Sequence, residues 1–165
     1  MVVVAEAECT VAQLRFQLDP VAQLGVPSHV TVLFPFIPAS QIQDDVMVRL
    51  AALFRIVPAF THNFVRTAWF GDQTLWLDSD AAPKFRSLTQ LVWTAFPAYP
   101  PFEGQFDEIV PHLTIADHGP LDKMQAAERT VQRHLPVSAM TQAVTLMVEQ
   151  PSGRWDAAGS FPLNG

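Results

Sequence analysis

The sequence predicts an α+β fold, one bilobal domain whose two lobes are related by a pseudo-twofold. Three observations predict it. Short apolar, β-branched segments interleave with stretches of helical period along the whole chain. No linker-like or low-complexity tract divides them. One short pattern also occurs twice, about half a chain apart. Pro27-Ser28-His29-Val30-Thr31-Val32 is echoed by Val110-Pro111-His112-Leu113-Thr114-Ile115, each with a helical segment before and after. Two copies make a pair of lobes, not a solenoid.

The elements follow in order. Residues 2–7 are apolar and β-branched and read as a strand. Thr10 is placed to cap a helix starting at Val11, and Asp19-Pro20 breaks it. After Gly25-Val26-Pro27, residues 29–34 read as a strand that Pro35 and Pro38 stop. Residues 41–56 space Ile42, Val46, Leu50, Leu53 and Phe54 as an amphipathic helix. Residues 60–70 and 74–78 form a strand pair about the turn Gly71-Asp72-Gln73. A third helix covers 82–96, with Trp93 in the core, and 97–104 is a Pro-Gly loop. Residues 109–116 are a strand and 121–134 a polar-faced helix. Residues 137–150 read as one strand, and 155–161 as the last.

Composition narrows the partners. The 165 residues are 49% hydrophobic and 16% charged, enough apolar residues for a sizeable core and too few charges for long disorder. Ten Lys and Arg stand against 16 Asp and Glu, giving a net charge of −6. The basic residues are scattered, whereas a groove that tracks a long phosphate backbone clusters them. A small nucleotide or an RNA terminus is the expected partner; long duplex nucleic acid is not. Cys9 is the single cysteine, so no intrachain disulfide forms. The start lacks the basic region of a signal peptide. The apolar stretch 32–39 is far short of the ~20 residues of a membrane span. A soluble, cytoplasmic monomer is expected.

The triplets carry the chemistry. Residues i and i+2 of a strand share a face. His29 and Thr31 therefore project together, as do His112 and Thr114, while Val30, Val32, Leu113 and Ile115 turn to the core. Set side by side, two such strands converge two imidazoles and two hydroxyls. Histidine titrates near neutrality, so one ring can take a proton while the other gives one. In-line displacement at phosphorus needs that pair, with hydroxyls donating to non-bridging oxygens. No metal or other cofactor is called for: a zinc site needs three or four suitably spaced ligands, and only Asp117 and His118 lie near a triplet, at loop-like positions.

The motif segments, with Gly25-Val26-Pro27-Ser28-His29-Val30-Thr31-Val32-Leu33-Phe34-Pro35-Phe36 and Phe106-Asp107-Glu108-Ile109-Val110-Pro111-His112-Leu113-Thr114-Ile115-Ala116 as their extent, resemble the 2H phosphoesterase superfamily. The likeness is to its bacterial 2′-5′ RNA ligase and cyclic phosphodiesterase branch. The order of elements agrees from residue 2 to about 162. The resemblance implies two lobes, each with an antiparallel sheet and helices, around a central cleft. It implies His29 and His112 as the catalytic pair and Thr31 and Thr114 as phosphate binders.

Three readings follow. The first is a metal-independent enzyme that opens a 2′,3′-cyclic or related phosphodiester. The others are 2′-5′ RNA ligation, and a module that binds a nucleotide or RNA end without turning it over. The scattered basic residues favour the first over ligation. Phe36, Trp69, Phe102 and Phe106 are candidates to stack on a base, Phe36 foremost because it ends the first motif strand. Arg66, on a central strand, is a candidate to grip phosphate; a solvated arginine is the plainer reading. His62, His118 and His134 lack the triplet and are read as structural or exposed.

Overall fold

The structure is a computed structural model that describes residues 1–4 and 8–165. Its strands are β1 (Val2–Val4), β2 (His29–Thr31), β3 (Phe60–Phe70), β4 (Thr74–Ser79), β5 (Leu113–Asp117), β6 (Val137–Thr141), β7 (Ala143–Glu149) and β8 (Trp155–Pro162). Its helices are α1 (Glu8–Leu18), α2 (Pro20–Gln23), α3 (Asp44–Phe54), α4 (Ala82–Ala95) and α5 (Leu121–Gln132). Residues 5–7 of the expected first strand lie outside the described residues.

The strands form two four-stranded sheets, ordered β2-β1-β7-β8 and β5-β4-β3-β6. Every pairing is antiparallel. Each triplet thus belongs to an edge strand, β2 in one sheet and β5 in the other, and these two edges lie against each other. The α+β architecture of two lobes is as the sequence predicts.

One boundary differs in a way that matters. Residues 137–150 read as one strand but form two in different sheets. β6 pairs with β3, β7 pairs with β1 and β8, and Gln142 is the crossover between them. The Gln142 carbonyl accepts from the Leu163 amide at 2.8 Å instead of continuing a ladder. The apolar alternation runs on through the switch and conceals it.

Two register shifts set which side chains face where. β3 shifts between Phe64 and Arg66. Phe60, His62 and Phe64 face the core before it; after it, Thr67 and Trp69 take that side and Arg66, Ala68 and Phe70 the other. Trp69 donates to Glu128 of α5 at 3.0 Å, and Thr67 does so at 2.8 Å. β5 shifts against β4 where Trp76 pairs with Thr114 and Leu75 with Ala116, leaving buried Ile115 as the extra residue. Thr114 and Asp117 then share a face although three positions apart.

Helices cover the sheets' apolar sides. α1 packs on β5 and α5, and α3 on β8. α4 buries Phe85, Leu88, Thr89 and Val92, the i, i+3, i+4, i+7 stripe of an amphipathic helix. Trp93 falls one position off that stripe and is exposed, which corrects its expected place in the core. Val30, Leu50, Phe54, Phe64, Leu77, Leu113 and Ile115 belong to one shared apolar core. Each such side chain contributes about 1.5–3 kcal/mol by leaving water. Among the described residues, no helix is long and apolar enough to cross a membrane.

Candidate active site

β2 is three residues long and alternates: Val30 is buried, and His29 and Thr31 are half-buried. Its register against β1 pairs His29 with Val4 and Thr31 with Val2. β5 begins at Leu113, so His112 stands just before it, after Pro111, with Thr114 one step into the strand. Leu113 and Ile115 fill the core beneath.

The same hydrogen bond occurs in both halves. His29 Nδ1 lies 2.8 Å from the Pro27 carbonyl oxygen, and His112 Nδ1 lies 2.7 Å from that of Val110. A carbonyl only accepts, so Nδ1 carries the proton in each ring. Nε2 is left as the free ring atom of both. Burial pushes His29 down from 6.5 to about 4, with Arg15, the Met1 amino group and His112 acting in the same direction and the Pro27 carbonyl opposing. Burial also lowers His112, while the Val110 carbonyl and the Asp117 carboxylate oppose the shift. Both imidazoles are therefore neutral in the free protein near pH 7.

Both rings line one cleft of about 560 Å³, within the span of about 300–1,000 Å³ usual for small-ligand sites. Thr114 lines it too. Thr31, two residues beyond His29, does not reach its lining. On the floor, Phe70 stacks on Trp76 with ring centres 4.8 Å apart. The His112 ring meets Phe70 at 4.9 Å and Trp76 at 5.7 Å, both edge-on. This aromatic corner fixes the plane of the imidazole. Thr74 Oγ1 donates to Asp117 at 2.6 Å and aims that carboxylate into the cleft beside His112.

The opposite wall is the loop before β5. Phe102 and Glu103 have φ of 50° and 56°, a left-handed pair that non-glycine residues rarely adopt. The Phe102 amide donates to the Phe34 carbonyl at 2.7 Å and anchors the bend. Phe102 meets Phe106 edge-on at 5.5 Å, and both line the cleft, Phe106 with 61% of its surface exposed.

Other residues fall elsewhere. Trp69 faces α5, because the β3 shift turns it away. Phe36 packs edge-on against Phe96 and Tyr99 and lines a separate cleft beside Phe34 and Trp155. Arg66 is solvated and pairs with Asp78 at 2.6 Å. His62 is buried among Phe60, Phe64 and Phe85 with Ser79 Oγ 3.0 Å from its Nδ1. His118 is exposed beside Asp117, and His134 closes a helix end on the Thr130 carbonyl.

Sequence reading missed Phe70, Asp117, Asp19 and Glu108 in the cleft lining. The register shifts explain the first two, since strict alternation puts both on the wrong face. Asp19 had a signal, the helix-breaking Asp19-Pro20. Among the described residues, no group of three or more His, Cys, Asp or Glu is arranged to hold a metal ion.

Paired edge strands with two free imidazole nitrogens over one cleft define a two-histidine site. The sequence profile of the 2′-5′ RNA ligase superfamily matches residues 3–152, and the chain belongs to that superfamily, the 2H phosphoesterases. The fold is similar to that in the crystal structure of TT0787 of Thermus thermophilus, with a TM-score of 0.63 and 17% identity over 100% of this chain and 99% of that one. No curated protein matches the chain significantly.

Proposed function

We propose that this protein is a metal-independent phosphoesterase that opens a 2′,3′-cyclic or related phosphodiester on a nucleotide or RNA end. One observation carries the reading: Nδ1 of both histidines is bound to a backbone carbonyl, leaving two Nε2 atoms on a shared cleft. An anionic phosphodiester between the rings raises the proton affinity of both. One ring then takes up a proton and becomes the acid, while the other stays neutral as the base. The base removes a proton from water as the water oxygen bonds to phosphorus. The P–O3′ bond breaks, and the acid delivers its proton to O3′, leaving a 2′-phosphate. The rings end with their protons exchanged and reset through solvent.

Thr114, which lines the cleft, donates to the non-bridging oxygens. Phe106 stacks on the base, with Phe102 behind it and Phe70 across the cleft. Such stacking is worth roughly 1–3 kcal/mol per base.

The superfamily's description favours a second reading, RNA 2′-5′ ligation. The same pair performs it when an RNA 5′-hydroxyl replaces water as the attacking group. Nucleoside 2′,3′-cyclic phosphates incubated with the protein in EDTA distinguish the outcomes. Ring opening with a bell-shaped pH–rate profile is expected. Joined RNA ends without hydrolysis would favour ligation. Bound nucleotide with no product after long incubation would leave a binding module.

A further inference from the structure

We propose that the buried Arg15–Asp19 ion pair is a positioning device for His29, holding its ring in place through the backbone of Val26 and Pro27. The inference rests on the catalytic reading of His29 above. Arg15 and Asp19 stand one turn apart at the end of α1, each only 2% exposed. Arg15 donates to Asp19 Oδ2 through Nε at 3.0 Å and Nη2 at 2.6 Å. Burying two charges costs several kcal/mol per ion, so a buried pair of this kind is weak support for stability. Its remaining contacts show what it holds. Asp19 Oδ1 accepts from the Val21 amide at 3.2 Å and caps α2. Arg15 Nη1 reaches the Val26 carbonyl at 3.4 Å. The Val26 amide closes the same turn onto the Val21 carbonyl at 3.2 Å. The next carbonyl, that of Pro27, takes the proton of His29 Nδ1. The line from Asp19, which also lines the cleft, to the imidazole is thus continuous.

The His112 half has an aromatic corner where this half has an ion pair. Phe70 and Trp76 clamp the His112 ring, whereas the His29 ring is set by its carbonyl and by what fixes that carbonyl. The pair also acts by charge. Arg15 on α1 and Asp19 just after it lie on one side of His29, with the Met1 amino group just before β1 and His112 just before β5; Glu108 and Asp117 line the same cleft. Burial is the main cause that keeps His29 neutral, and Arg15 is the side-chain cation that adds to it.

Two variants test the device. Arg15→Lys keeps the charge and loses the planar fork that reaches both Asp19 and Val26. It is expected to lower kcat by about tenfold to 10²-fold with KM little changed, as for a misplaced reacting group. Arg15→Gln/Asp19→Asn removes both charges and keeps hydrogen-bonding groups. Its His29 ring, followed by NMR, is expected to titrate at higher pH than in the native protein, and the corresponding limb of the pH–rate profile moves with it. Thermal unfolding gives the folded fraction, so both readouts are taken per folded molecule. Variants that lose stability alone, with native kcat, pH profile and His29 titration, would overturn the proposal. The NMR titration needs no turnover. A moved titration in a protein inactive on every cyclic nucleotide would sink the proposed function and leave the pair's hold on His29 standing.

Discussion

The two histidine half-sites share a device and differ in everything around it. In each, Nδ1 is tied to the carbonyl two residues back, so local chain geometry sets the tautomer. Around His29 the neighbours are a buried ion pair and an amino group; around His112 they are two aromatic rings and a carboxylate. Backbone symmetry makes the rings geometrically alike, and their surroundings make them electrostatically unlike. The lesson is that a pseudo-repeat can duplicate a reactive group without duplicating its proton affinity. Burial lowers both rings; it is the main cause at His29, where Arg15 adds to it, whereas at His112 the Asp117 carboxylate opposes it.

The largest test of that contrast removes each ring. His29→Ala and His112→Ala should each lower kcat by about 10²–10⁴-fold, and the double variant by much less than the product, because the pair acts as a unit. Cyclic-nucleotide hydrolysis at saturating substrate checks this; wild-type rates in both single variants would break the assignment. Next come the hydroxyls. Thr114→Val should cost about 10²-fold in kcat, the usual loss for one transition-state donor. Thr31→Val should cost less, since Thr31 does not reach the cleft lining. Equal losses would show that the halves bind phosphate alike.

Stability against pH follows with a definite sign. Folding depresses His29 to about 4, so the unfolded chain binds its proton more tightly. Its contribution to stability is complete above the ordinary value of 6.5 and is lost as pH falls from there toward about 4. Denaturant midpoints measured across that window should fall with pH, and His29→Asn should flatten the fall. The smallest effect belongs to Asp117→Asn. Without that carboxylate His112 should titrate lower, and the pH–rate limb it governs should move to lower pH.

The triplets were legible because strand alternation is local: His29 with Thr31, and His112 with Thr114, need only period two. The helices on 44–54, 82–95 and 121–132 were legible from their apolar stripes. What alternation cannot carry is a register shift. Phe60, His62 and Phe64 establish a phase that assigns Trp69 to the open face and Phe70 to the core. The shift near Val65 reverses it, so the ring beside His112 is Phe70. The shift at Ile115 likewise brings Asp117 round to the side of Thr114. The crossover at Gln142 was hidden because strand pattern says nothing about which sheet a strand joins. The Arg15–Asp19 pair has a helical i, i+4 spacing visible in the sequence, but its burial depends on how α1 lands on β5.

The switch at Gln142 has a consequence for how the molecule is made. The sheet carrying His112 uses strands that follow one another from residue 60 to 141, so it can form from one continuous stretch of chain. The sheet carrying His29 draws β1 and β2 from before that stretch and β7 and β8 from beyond the switch. Its central pairing joins Val2 to Thr145, a contact of very long sequence separation, and such contacts close late. On a ribosome, one half-site can thus be built while the other still waits for its inner strand. The hairpin of β7 and β8 is the last piece of chain to complete the sheet that carries His29.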